Sequence, residues 1–129
     1  RYVDGTTRAA VARARLSHFP GATFRAGDLR EITERFSLVL WLLPYVAQEA
    51  FDADRLPKRF FAPDSLLDHV LERLEPGGTL FIVNQGEDEA AIQRRMLESR
   101  GVAFEDLGRL QSVFSAFETP RYGLRCSLD

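Results

Sequence analysis

Apolar and polar positions alternate between strand-like and helix-like spacing along the whole chain, and the pattern predicts the order β-α-β-α-β-α-β-α-β-β. Tyr2-Val3 forms a very short strand closed by Asp4-Gly5. Thr6-Thr7 cap a helix to about His18, with Ala10, Val11 and Ala14 at helical spacing, and Phe19-Pro20-Gly21 stops it. Thr23-Phe24-Arg25 reads as a short strand ending in Gly27-Asp28, and Leu29–Arg35 as a brief helical segment. Within the strand Phe36–Leu43, the run Leu38-Val39-Leu40-Trp41-Leu42 is apolar at consecutive positions, as expected of a central parallel strand covered by helices on both faces. Residues 44–62 are irregular and rich in aromatic and charged residues.

The clearest helix starts at Pro63, a residue suited to the first helical position, with Asp64 in the first turn where a carboxylate suits the helix dipole. Leu67, Val70, Leu71 and Leu74 form its apolar stripe, and Glu75-Pro76-Gly77-Gly78 is most simply a helix stop and turn. Thr79–Val83 is a second buried-type strand ending at Asn84-Gln85-Gly86, followed by a helix from Glu87 to Arg100 that Gly101 stops. Two strand-like runs, about Ser112–Phe117 and Tyr122–Leu128, flank Glu118-Thr119-Pro120-Arg121 and predict an antiparallel pair. Strands alternating with helices through right-handed crossovers give a mostly parallel sheet with helices on its faces.

Composition changes this picture little. At 129 residues and 45% hydrophobic, the chain suffices for one compact domain. A net charge of −2 and scattered arginines give no polybasic footprint, so neither nucleic acid nor an anionic membrane is expected as a partner. No apolar run approaches the roughly 20 residues of a membrane span. A lone Cys126 excludes an internal disulfide and agrees with a reducing cytoplasm. One cysteine and two separated histidines, His18 and His69, predict no metal site.

Ligands of open parallel sheets bind outside the carboxyl ends of the strands, and polar or special residues stand at each predicted exit. Asp4 can accept two hydrogen bonds from a ribose diol, with Gly5 allowing close approach, or it can cap the following helix. Asp28 can accept an adenine amino group, with the Leu29 N–H facing a ring nitrogen, or it can hold a turn after Gly27. Their equivalent placement, one strand and one helix apart, favours a nucleoside ligand. Pro44-Tyr45 follows the central strand where a reactant would sit, although Tyr45 can equally be simple packing. Asn84 and Gln85 can hydrogen-bond a ligand, or Asn84 can hold the loop while Glu87 favours the helix N-terminus. No convincing nucleophile–base pair is present, so catalytic residues stay unassigned.

The chain resembles class I S-adenosylmethionine-dependent methyltransferases over essentially its whole length. Tyr2-Val3-Asp4-Gly5-Thr6 and the helix after it resemble the family's second strand and helix, with Asp4 in place of the ribose-binding acid. Phe24-Arg25-Ala26-Gly27-Asp28-Leu29 resembles the third-strand segment, whose aspartate meets the adenine amino group. Leu71–Leu80 resembles the L-x-P-G-G leader of the fifth strand, and the terminal pair resembles the last two strands, one of them antiparallel. Asn84-Gln85-Gly86-Glu87 is similar to a bacterial subset of uncharacterised methyltransferase-like proteins.

The resemblance implies a Rossmann-like three-layer α/β sandwich over residues 1–129 and methyl transfer to an unidentified acceptor, by default a small molecule. The alternatives are a non-catalytic structural or interaction module, or a nicotinamide-type nucleotide-binding domain. Methyl transfer from a sulfonium can proceed by in-line positioning, without a proton-transfer catalyst.

The family's first strand and G-x-G loop belong before Arg1, and the sequence holds no such loop. In the family's sheet order, 3-2-1-4-5-7-6, the missing strand is central. The expectation is a longer protein, another copy or chain filling the gap, or a sheet closed with Tyr2-Val3 displaced, and weak or absent S-adenosylmethionine binding by these residues alone.

Overall fold

The computed structural model describes residues 4–129. The chain falls into two compact units, one running to Ile32 and the other from Thr33 to Asp129.

In the first unit, Thr7 caps α1 (Arg8–Leu16), its side chain accepting the Ala10 N–H at 3.1 Å. Ser17 ends the helix, its hydroxyl donating to the Ala14 carbonyl at 2.7 Å. A single 3₁₀ turn, Leu29–Glu31, replaces the longer helical segment expected there. Two expected strands are affected. Tyr2-Val3 lies outside the described residues, and Thr23-Phe24-Arg25 forms no strand among them. Three extended residues count as a strand only through a ladder, and no described segment supplies one.

The second unit carries a four-stranded sheet, ordered β1-β2-β4-β3, of β1 (Phe36–Leu42), β2 (Leu74–Gln85), β3 (Phe104–Leu110) and β4 (Arg121–Ser127). β1 pairs parallel with β2, while β4 runs antiparallel to both β2 and β3. These are the last four positions of the expected order, with the single reversed strand where it belongs, so the chain has a Rossmann-like α/β fold. Between the strands lie α2 (Gln48–Ala53), α3 (Pro63–Glu72) and α4 (Gly86–Glu98).

Alternation along β2 and β4 puts Leu80, Ile82, Leu124 and Cys126 in the core, all fully buried, where Leu67 and Val70 of α3 and Ala90 and Leu97 of α4 join them. Arg100 ties α3 down, its guanidinium donating to Asp68 at 2.5 Å and Asp64 at 2.9 Å. That contact holds the Asp68 carboxyl below its usual range. Burial pushes the Cys126 thiol up to about 11. Since the thiolate is the reactive form, alkylation of the native protein by iodoacetamide at pH 8 is expected to run about a hundredfold or more slower than in denaturant, read by mass spectrometry.

Among the described residues β1 stands at the edge of the sheet, beside the position expected for the missing central strand, and Leu38, Leu40 and Leu42 are 54%, 61% and 63% exposed. Two local expectations are corrected. The strand before β4 is Phe104–Leu110, not Ser112–Phe117, which lies in the connecting loop. A bulge at Gly108, with φ of 66°, breaks the period-two pattern of β3 and hides it.

Glu75-Pro76-Gly77-Gly78 interrupts β2 rather than preceding it. Leu74 pairs with Phe36 and Thr79 with Leu38, so these four residues bulge out. A Cβ at Gly78 would sit 2.8 Å from the Glu75 carbonyl oxygen and 3.3 Å from that of Phe36. Gly78→Ala is therefore expected to cost about 1–3 kcal/mol of stability, measured by urea unfolding.

Candidate functional site

Strand register defines the carboxyl edge of the sheet. Leu42 pairs with Val83, and Gln85 pairs with Arg121, which pairs in turn with Leu110. Pro44 and Tyr45 therefore leave β1 beside Asn84 and Gln85 at the end of β2, so the structure brings these four expected residues to one edge.

Leu43 makes the turn out of β1. Its φ is 55°, a conformation few non-glycine residues adopt, and its N–H donates to the Val83 carbonyl at 2.8 Å. Strain of this kind concentrates at functional sites, and nothing in a leucine announces it. Beyond the turn, Pro44 and Val46 are buried and anchor the chain. Tyr45 packs edge-on against Phe51 at 5.4 Å, and its hydroxyl donates to the Asp54 carboxylate. Asp54 is a partner that sequence reasoning missed, because a contact nine residues away across a short helix leaves no periodic trace.

The two residues at the end of β2 differ. Asn84 is fully buried, and among the described residues its amide has no hydrogen-bond partner; the same holds for Gln93 of α4. Gln85 is exposed, and its N–H donates to the Glu89 carboxylate at 3.4 Å. Burial raises the Glu89 pKa against the opposing pull of that bond and of Arg121. The Gly86 N–H donates to the Pro120 carbonyl at 2.8 Å, tying the loop between β3 and β4 to this edge.

In the first unit, Asp4 accepts the Thr6 N–H at 2.9 Å, and hydrogen bonds from Thr6 hold its carboxyl below the usual range. Gly5 has a φ of 80° and open space where a side chain would stand. Asp28 accepts the Arg30 N–H at 2.9 Å and an ion pair from its guanidinium at 2.6 Å, capping the 3₁₀ turn that begins at Leu29. Asp28 thus fills the turn role foreseen for it, whereas Asp4 holds a turn with Thr6 and the cap of α1 is Thr7. Among the described residues no group of three or more metal-ligating side chains is placed for an ion, and no helix is long and apolar enough to cross a membrane.

No family model and no curated protein matches the chain. Solved structures do. Magnesium protoporphyrin IX methyltransferase (ChlM) from Synechocystis PCC 6803, with bound S-adenosylmethionine, superposes with a TM-score of 0.58 at 15% identity, covering 93% of this chain and 53% of that one. The N-methyltransferase NodS from Bradyrhizobium japonicum WM9 gives 0.56 at 18% identity, covering 95% and 69%. The chain has the class I methyltransferase fold.

It spans about half the length of the first of these methyltransferases. An rRNA methylase from Streptococcus thermophilus shares the methyltransferase fold, with a TM-score of 0.53 at 16% identity over 95% of this chain and 70% of that one. That finding overturns the exclusion of nucleic acid drawn from overall charge. A net charge sums over the whole surface and does not report where the charges sit.

Proposed function

We propose that the chain belongs to an S-adenosylmethionine-dependent methyltransferase. The observation that carries this reading is the strand order β1-β2-β4-β3 with β4 alone reversed, in a chain that superposes on methyltransferases including a cofactor-bound one. A nicotinamide-type domain has less support, because its final strand is expected to run parallel.

The first unit fits the nucleoside part of the cofactor in part. The Asp4 carboxyl, held below its usual range, sits beside the open space at Gly5 and can accept a ribose diol with the oxygen lone pairs that Thr6 leaves. Asp28, with the Leu29 N–H, is the proposed adenine partner, and Arg30, which pairs with that carboxylate, would have to yield to it. The methionine carboxylate has no glycine-loop donors among residues 4–129, so binding by these residues alone is expected to be weak. When bound, the cofactor supplies a methyl group on a positively charged sulfur.

The acceptor is assigned to the edge formed by Pro44, Tyr45, Asn84 and Gln85. Tyr45, its hydroxyl oriented by donation to Asp54 and its ring held against Phe51, is the proposed wall for the methyl acceptor. Methyl transfer then depends chiefly on in-line positioning. The test is calorimetry with S-adenosylhomocysteine on the chain together with whatever its gene encodes before Arg1. Binding on the order of micromolar is expected, and absence of binding sinks the cofactor assignment.

A further inference from the structure

The loop between β3 and β4 encloses a cleft of ≈ 290 Å³ at the outer end of the same sheet edge, lined by Arg109, Gln111, Ser112, Ser115, Phe117 and Pro120 among others. Its position follows from register, since Gln85, Arg121 and Leu110 form one row across β2, β4 and β3, and the hydrogen bond between Gly86 and Pro120 joins the loop to the end of β2. The chemistry of the lining is one-sided. Among the described residues Arg109 makes no hydrogen bond or ion pair, and no acidic side chain lines the cleft. Arg121, in the same row, is committed: it lies over the Phe117 ring at 5.2 Å and donates to the Thr119 carbonyl at 2.9 Å. The Ser112 hydroxyl oxygen accepts the N–H groups of Phe114 at 3.1 Å and Ser115 at 3.3 Å, which fixes the loop and leaves its O–H as a donor.

We propose that this cleft is an oxyanion subsite that binds the carboxylate or phosphate of a small, flat ligand, with Arg109 as the charge partner, Ser112, Ser115 and Gln111 as neutral donors, and Phe117 as the flat wall. A guanidinium forks onto either oxyanion in bidentate geometry. The volume lies at the lower end of small-molecule sites, roughly 300–1,000 Å³, which suits one ring bearing one acidic group. Naming that ligand the methyl acceptor rests on the proposed function; the anion site itself does not.

Nuclear magnetic resonance titration of the protein with phenyl phosphate, benzoate and neutral benzamide tests it. Saturable shifts are expected at Gln111, Ser112 and Ser115 with one or both anions, and the tighter anion identifies the acidic group. Arg109→Ala, at an exposed and unpaired position, is expected to weaken binding about tenfold or more, with Arg109→Lys retaining part of it. Benzamide binding as tightly as benzoate, unchanged binding by Arg109→Ala, or no saturable shift overturns the subsite. Anion binding here without S-adenosylhomocysteine binding in the calorimetry on the N-terminally extended chain removes the methyltransferase reading and leaves the subsite standing; the converse removes the subsite alone.

Discussion

Leu124→Ala is expected to lower the unfolding free energy by about 2–5 kcal/mol, the largest effect of any single change considered for this chain. Leu124 is fully buried in β4, directly opposite Ile82 of β2 on one side and Asp106 of β3 on the other. Its neighbours along the same face include Cys126, also fully buried. Truncation removes transferred apolar surface and leaves a cavity that strands paired on both sides cannot close. Urea unfolding followed by circular dichroism measures it. A loss below about 1 kcal/mol would mean that the core between the sheet and α4 is looser than its burial implies.

Asp4→Ala is the functional counterpart. In a protein that binds S-adenosylhomocysteine, this change is expected to weaken binding about 10- to 100-fold, the range for losing charge-assisted hydrogen bonds. Asp4 is exposed, so its loss leaves the fold intact apart from the Thr6 contact. Asp4→Asn keeps the turn acceptor while removing the charge and separates the two roles. If both variants bind as the parent does, Asp4 is a turn residue and nothing more.

The parts of the fold legible in the sequence are those in which one local signal dominates. The stripe of α3, the apolar run of β2 and the acidic start of α4 were each read from a few residues, and the reversed β4 from the paired run around Tyr122. What stayed hidden depended on distant or non-periodic facts. An apolar run such as Leu38–Leu42 is the same whether its strand is central or at the edge. One extra residue, the unpaired Leu107 before Gly108, shifts the alternation of β3 out of phase. At the carboxyl edge of the sheet, residue type marks the neighbouring positions Pro44, Tyr45, Asn84 and Gln85 but gives no sign of the left-handed turn at Leu43 or the hydrogen bond from Tyr45 to Asp54. Asp28 shows the same limit, since its pairing with Arg30 depends on a side-chain geometry that residue type leaves open.

The placement of β4 carries a consequence for how the chain assembles. It is made after all three of its sheet-mates, yet it stands between β2 and β3, so Ile82 must wait for Leu124 before that side of its backbone is satisfied. During synthesis, β1 and β2 can associate early, while β3 has no direct neighbour until the ribosome has passed Ser127. Ladders that join residues some forty positions apart form slowly, and the nascent chain carries an open strand edge on β2 throughout that interval.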